Sequence, residues 1–300
     1  MKTRHFLSLD DLGADGIRHV VDQAIALKTA TPGERGWPLA GRTLGMLFEK
    51  ASTRTRVSFE TGMTRLGGHA IFLAPEDTQI GRGETVEDTA RVLSRMVDAI
   101  MIRNHSQQVL EQFAAYSRVP VINGLTERLH PCQLLADIQT YTEHCGDIAK
   151  ARVAWVGDGN NMCHSWINAA RILGFELRLA TPTGYAPAAA LVRAAGDCVQ
   201  ACDSAAQAVA DADLVVTDTW TSMGDDNERS ERLRAFADYQ VNTALMAQAA
   251  DHALFMHCLP AHRGEEVTAE VLDAPDSVVW DEAENRLHAQ SALLLHLLHV

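Results

Sequence analysis

The sequence predicts an α/β protein built as two open parallel-sheet domains with an active-site cleft between them. Three observations carry that reading. Short apolar runs alternate with helical patterns along the whole chain, as in parallel sheets covered on both faces. The chain's 300 residues fit two domains, and its 47% hydrophobic content supports a full core. A turn cluster, Cys145-Gly146-Asp147, divides the alternation into two sets.

Asp10 to Lys28 reads as an amphipathic helix, with Ser8 as N-cap and Asp11 three residues on. Strands are predicted at Thr43–Phe48, Ala70–Leu73, Ala99–Ile102 and Val119–Ile122. Helices are predicted between them at Thr53–Leu66, Thr85–Met96 and Ser106–Ser117. A helix over Cys132–Glu143, with Pro131 in its first turn, joins the two halves. The second set has strands at Val153–Val156, Glu176–Ala180, Cys198–Ala201, Leu214–Thr217, Leu254–His257 and Val278–Trp280. Glu282 to Leu298 reads as one long helix. The expected domains are residues 1–145, closed by the terminal helix 282–300, and residues 146–281.

A net charge of -13 argues against general nucleic-acid binding. No apolar run approaches the ~18 residues of a membrane span, and the first residues lack an apolar signal stretch. The six cysteines form no C-x-x-C pair and no zinc spacing, so reduced thiols in a cytoplasm are expected.

The most informative stretch is Glu49 to Glu60. Ser52, Thr53, Arg54 and Thr55 sit where a predicted strand turns into a helix. Unpaired N–H groups and the helix dipole make such a junction an anion site, and Arg54 can bind phosphate through two parallel hydrogen bonds. A solvated N-cap is the competing reading. Ligands of open α/β sheets bind at the carboxyl ends of strands. Arg103 ends a predicted strand and points to that region, unless it serves a structural salt bridge. His130 and Gln133, around a helix start, could donate to one carbonyl oxygen gaining charge, or could be a surface His and a capping Gln.

In the second half, Asp218 follows a strand and could hold a substrate ammonium, with the polar loop onward to Asn227 close by. Cys258 ends another strand and could be merely buried. A zinc site from His257, Cys258 and His262 is disfavoured, because adjacent strand residues point to opposite faces. Gly157-Asp158-Gly159-Asn160-Asn161-Met162, with Glu176 downstream, imitates a dinucleotide fingerprint, but Met162 stands where the third glycine belongs. An NAD-binding oxidoreductase is therefore the alternative of a different class.

Taken together, these clusters resemble the aspartate/ornithine carbamoyltransferase family, and its ornithine-using branch in particular. Ser52-Thr53-Arg54-Thr55 is similar to the family's carbamoyl-phosphate signature, and Thr78 to Thr85 to its downstream loop. His130-Pro131-Cys132-Gln133, Asp218 with Ser222-Met223-Gly224, His257-Cys258-Leu259-Pro260 and the segment around Arg286 follow in order. Ala51, where many members have Pro, is one departure, and it removes no donor. The loop Gln79 to Glu84 lacks the lysine of the aspartate-using branch, and the S-M-G loop separates the chain from branches using a modified ornithine or another amine.

The resemblance implies attack of the ornithine side-chain amine on carbamoyl phosphate, giving citrulline and phosphate in arginine biosynthesis or a urea-cycle-type step. It implies no metal and no cofactor. Ser52, Thr53, Arg54, Thr55, Gln79, Arg103, His130, Gln133, Cys258, Leu259 and Arg286 would contact carbamoyl phosphate. Asn161, Asp218, Ser222 and Met223 would hold ornithine. Arg103, His130, Gln133, Asp218 and Cys258 would serve the chemistry. The resemblance further implies a cytoplasmic homotrimer sharing active sites through Gln79, with no nucleic-acid or membrane partner.

Overall fold

The computed structural model describes residues 4–74, 83–221 and 229–299. The chain forms two compact units: Met1–Gln139 with Glu284–Val300, and Thr140–Ala283.

In the first unit, four parallel strands lie in the order β2-β1-β3-β4: β1 (Thr43–Phe48), β2 (His69–Leu73), β3 (Ala99–Arg103) and β4 (Val121–Leu125). Helices α1 (Gly13–Thr29), α2 (Pro32–Arg35), α3 (Thr53–Arg65), α4 (Val86–Leu93), α5 (Gln107–Tyr116) and α6 (Pro131–Cys145) follow in chain order. One core layer joins Leu47, Ile100 and Ile102 of the sheet to Ala90 of α4 and Leu110 and Phe113 of α5. β1 and β3 pair with Phe48 opposite Arg103, so both strands end at one level.

The second unit has five parallel strands in the order β7-β6-β5-β8-β9: β5 (Arg152–Val156), β6 (Glu176–Ala180), β7 (Val199–Ala201), β8 (Leu214–Thr217) and β9 (Leu254–His257). Its helices are α7 (Asn161–Leu173), α8 (Ala189–Ala195), α9 (Ala205–Val209), α10 (Arg229–Ala235), α11 (Thr243–Met246) and α12 (Ala269–Leu272). The last helix, α13 (Val279–Leu298), begins in this unit and ends in the first.

Three predicted elements differ from the structure. Val278–Trp280 is no strand: Phe255 makes a single bridge to Ser277, and α13 starts at Val279 with Asp281 and Glu282 in its first turn, where acids favour a helix. The first helix does not run from Asp10. Asp11 Oδ2 accepts from the Leu7 and Ser8 N–H groups at 2.7 and 2.8 Å, closing a short 3-10 turn over Leu9–Asp11. Gly13, at a φ of 63°, then restarts the chain as α1. β4 starts two residues later than its apolar run and continues to Leu125, because Asn123 and Leu125 pair with β3 across an irregularity at Gly124. The Asn123 side chain donates to Leu7 O at 2.9 Å, and its carbonyl accepts from the Cys132 thiol.

α13 meets α3 at Gly62. A Cβ there would lie 2.7 Å from Ser291 Oγ and 3.7 Å from Leu287 Cδ1. A residue with a side chain there would have to displace the Ser291 hydroxyl, on the helix that carries Arg286.

Candidate active site

In the first unit the site grows from the end of β1. Ser52 is the N-cap of α3, its hydroxyl accepting from the Thr55 N–H at 3.3 Å and donating to Thr55 Oγ1 at 3.0 Å. Thr53 is exposed, Arg54 half-buried and Thr55 fully buried. Arg103 is the last residue of β3, and its carbonyl accepts from the Glu49 N–H at 2.9 Å. Glu49 in turn accepts from the His105 N–H at 2.9 Å, so the loops after β1 and β3 are tied together.

His130 directly precedes α6 and is buried. Burial holds its pKa well below the ordinary histidine value, and the charges of Arg286, Arg103 and Arg54, in that order, push it further down. Burial and the positive charge of these three guanidiniums thus both favour the neutral imidazole. Arg286, buried on α13, donates to Gln133 Oε1 at 3.0 Å and to Thr55 Oγ1 at 2.9 Å. The cluster thus gathers Ser52, Thr55, Arg54, Arg103, His130, Gln133 and Arg286 at the carboxyl ends of β1, β3 and β4. Cys132, inside the same motif, points into the core, and burial pushes its thiol up to about 12.

In the second unit Asp218 follows β8. It accepts from Asn160 Nδ2 at 2.8 Å, from the Thr219 N–H at 2.8 Å and from the Cys258 thiol at 3.3 Å. Asn160 also caps α7, its Oδ1 accepting from the Met162 and Cys163 N–H groups at 2.9 and 3.1 Å. Asn161, the predicted ligand residue, is the first residue of α7. Asp158 pairs with Arg232, which also donates to the Trp220 carbonyl and lies over the rings of Tyr185 and Phe236. Burial raises the Asp158 pKa, and Arg232 opposes that shift.

Cys258 and Leu259 follow β9 and are shaped from beneath. His257 is fully buried, and its Nδ1 accepts from the Leu259 N–H at 2.9 Å. Its proton therefore sits on Nε2, 3.1 Å from Glu266 Oε1. The His257 N–H donates to Glu282 at 2.9 Å. This frame holds Leu259 at a φ of 56°, a conformation costly for a residue with a side chain.

Two sequence readings meet the structure here. Cys258 lies beyond the last strand residue, so strand alternation does not set its direction relative to His257. Ligand atoms of Asp218, His257 and Cys258 lie within 4.8 Å of one another. The glycines of the imitation fingerprint serve the chain's own backbone. A Cβ on Gly159 would fall 2.2 Å from Pro187 N, and Gly157 adopts a φ of 140°. The turn that a pyrophosphate would approach is thus packed against residues 186–187.

Sequence reasoning missed Asn160, Asp137, Glu266 and Glu282. Only Asn160 carried a signal, as an Asn opening a helix after a strand. Gln79, Ser222 and Met223 lie outside the described residues.

Residues 4–143 match the carbamoyl-phosphate-binding domain, and residues 149–297 the Asp/Orn-binding domain, of aspartate/ornithine carbamoyltransferase. The chain belongs to the aspartate/ornithine carbamoyltransferase family. It is 63% identical over 298 residues to the ornithine carbamoyltransferase of Methylococcus capsulatus, covering 99% of each chain. The crystal structure of ornithine carbamoyltransferase from Burkholderia thailandensis superposes with a TM-score of 0.91 at 55% identity, covering 98% of each chain. The ornithine carbamoyltransferase of Pyrococcus furiosus gives a TM-score of 0.94 at 48% identity, covering 97% of this chain and 96% of that one.

Proposed function

We propose that this enzyme transfers the carbamoyl group of carbamoyl phosphate to the side-chain amine of L-ornithine, giving L-citrulline and phosphate, a step toward arginine. The observation that carries the reading is the buried cluster at the starts of α3 and α6, where Arg286 donates to Thr55 Oγ1 and to Gln133 Oε1, with the charges of Arg54 and Arg103 also acting on the buried His130. Such a cluster suits a small, highly charged anion whose carbonyl gains negative charge during reaction.

In the reaction a C–N bond forms, the C–O bond to phosphate breaks, and the amine loses a proton. Ser52, Thr53, Arg54 and Thr55 would hold the phosphate at the start of α3, where N–H groups and the helix dipole favour an anion. Arg103 and His130 would donate to the carbamoyl oxygen as it gains charge. His130 suits that role as a neutral N–H donor, which adds no further full positive charge beside three arginines. Gln133, Cys258 and Leu259 would contact the carbamoyl group, the Leu259 carbonyl being held by the His257–Glu266 frame. Arg286 would act from below, through Thr55 and Gln133.

Asp218, with Asn161, Ser222 and Met223, would hold ornithine. An alkylammonium has a pKa of about 10.4, so the site must select or generate the neutral amine. Asp218, carrying the Cys258 thiol, is the acceptor at hand. The protein would work as a homotrimer, with Gln79 completing a neighbour's site. A cytoplasmic setting agrees with six free cysteines, and no helix among the described residues is long and apolar enough to cross a membrane.

The test offers ornithine, N-acetylornithine, putrescine and aspartate side by side with carbamoyl phosphate. Citrulline from ornithine, with far lower turnover of the other three, is the expected result. A preference for any other acceptor would overturn the reading.

A further inference from the structure

We infer that Asp137 is a positioning residue that fixes which edge of the Gln133 amide faces carbamoyl phosphate. The inference rests on the assignment of Gln133 to the carbamoyl group proposed above. Gln133 and Asp137 lie four residues apart on α6, hence on one face of the helix, and each is 1% exposed. Gln133 Nε2 donates to Asp137 Oδ1 at 2.8 Å. On its other side, Gln133 Oε1 accepts from Arg286 Nη1 at 3.0 Å.

A glutamine amide can turn over by rotation about its last bond, exchanging a donor for an acceptor at almost no steric cost. Here a carboxylate flanks the NH2 and a guanidinium flanks the oxygen. Turning the amide over would set NH2 against guanidinium and carbonyl against carboxylate, breaking two buried charge-assisted hydrogen bonds at once. The acceptor edge of Gln133 is thereby committed to the side on which Arg286 lies. A carbamoyl NH2 requires an acceptor, whereas the carbamoyl oxygen requires a donor. Asp137 thus turns an ambiguous side chain into a one-way reader of the carbamoyl group, and it does so without touching the ligand.

The experiment compares Asp137→Asn, Gln133→Glu and the double variant with the parent enzyme. Readouts are kcat, KM for carbamoyl phosphate, thermal midpoint, and the affinity for inorganic phosphate by calorimetry. Phosphate probes the anion subsite without the carbamoyl group. Asp137→Asn retains size but offers Gln133 either a donor or an acceptor, so the amide is released. The expected loss is about tenfold or more in kcat/KM for carbamoyl phosphate, the size of one buried hydrogen bond to a charge, with phosphate affinity unchanged. Gln133→Glu should cost more, because two carboxylates then face each other. Adding Asp137→Asn to it should recover part of the loss, since Asn can donate to the new carboxylate.

Equal losses of carbamoyl-phosphate and phosphate affinity in Asp137→Asn would overturn the inference, as would parent-like kinetics. Additive losses in the double variant would overturn it too, and that comparison stands even where one single variant is less stable. Gln133→Ala separates the two layers of argument. If it leaves carbamoyl-phosphate kinetics intact, the Gln133 assignment itself fails. If it costs activity while Asp137→Asn does not, only the positioning role fails.

Discussion

The two units arrange the charged side chains beyond their strands differently. Past β1 and β3, Arg54 and Arg103 are joined by Arg286 from α13 near the buried His130, while the Glu49 carboxylate is taken up by the His105 N–H. Past β5 and β8 stand carboxylates. Asp158 is matched by Arg232, and Asp218 is held by an amide, a backbone N–H and a thiol, all neutral donors. One parallel-sheet architecture is thus used twice, and in the function proposed above the first use receives an anion and the second an ammonium. A net charge of -13 conceals this sorting, because the function lies in how few of the charges meet at each strand end.

The sharpest way to break the contrast is to remove a cation from the first unit. Arg54→Ala or Arg103→Ala should lower kcat/KM by thirty- to a thousandfold, equivalent to roughly 2–4 kcal/mol for a charge-assisted contact. Thermal midpoints should move little, because the proposed function assigns both arginines to a ligand rather than to the core. Near-parent turnover in both variants would dissolve the anion-site assignment.

Gly62→Val attacks the same site from a distance. A valine there meets Ser291 and Leu287, and the expected relief is a shift of those side chains or of α13, which carries Arg286. Overpacking of this kind costs about 1–3 kcal/mol. Denaturant melts should show that loss together with weaker carbamoyl-phosphate binding, and unchanged binding would mean that Arg286 tolerates displacement.

His130 links the cationic cluster to pH. Its folded pKa lies below its unfolded value, so the unfolded chain binds the proton first on acidification. The group's stabilisation is therefore complete above pH ~6.5 and is lost as pH falls below that, by up to ~1.4 kcal/mol per pH unit. Melts of His130→Gln across pH 7 to 5 should have a flatter slope than the parent. His288 and His296, whose pKa values are also lowered by burial, supply the slope that remains.

The smallest expected effect lies in the second unit. Asn160→Ala removes a helix cap and one of the donors to Asp218. About 1 kcal/mol of stability should go with the cap, and KM for ornithine should rise while KM for carbamoyl phosphate stays put. A matched rise in both would mean that the two units do not divide the substrates.

Much of this was legible in the sequence. β1, β3, β5, β8 and β9 are continuous apolar runs with polar residues at their carboxyl ends, and that pattern alone placed Ser52, Arg103, Asp218 and Cys258. Short-range pattern failed where a distant residue decides the outcome. β4 is carried into Asn123 and Gly124 by bonds to Leu7 and Cys132, which no local window contains. Gly159 is explained by Pro187, and His257 by Glu266 and Glu282. Asp137 sat in plain view four residues after Gln133, but its task depends on Arg286, which arrives from a helix about 150 residues later.

That late arrival has a consequence for how the molecule is made. During synthesis the β2-β1-β3-β4 sheet leaves the ribosome early, yet α13, which packs against α3, is translated only after residues 140–283. At ~5–20 residues per second, residues 140–283 take roughly 7–30 s to emerge. Throughout that interval Thr55 and Gln133 lack the guanidinium that joins them. The second unit, continuous from Thr140 to Ala283, needs no such wait for a returning segment. Of these two units, the one whose strands are made first is therefore the one completed second, and a nascent chain cannot bring Arg286 to Thr55 and Gln133 until α13 has been released.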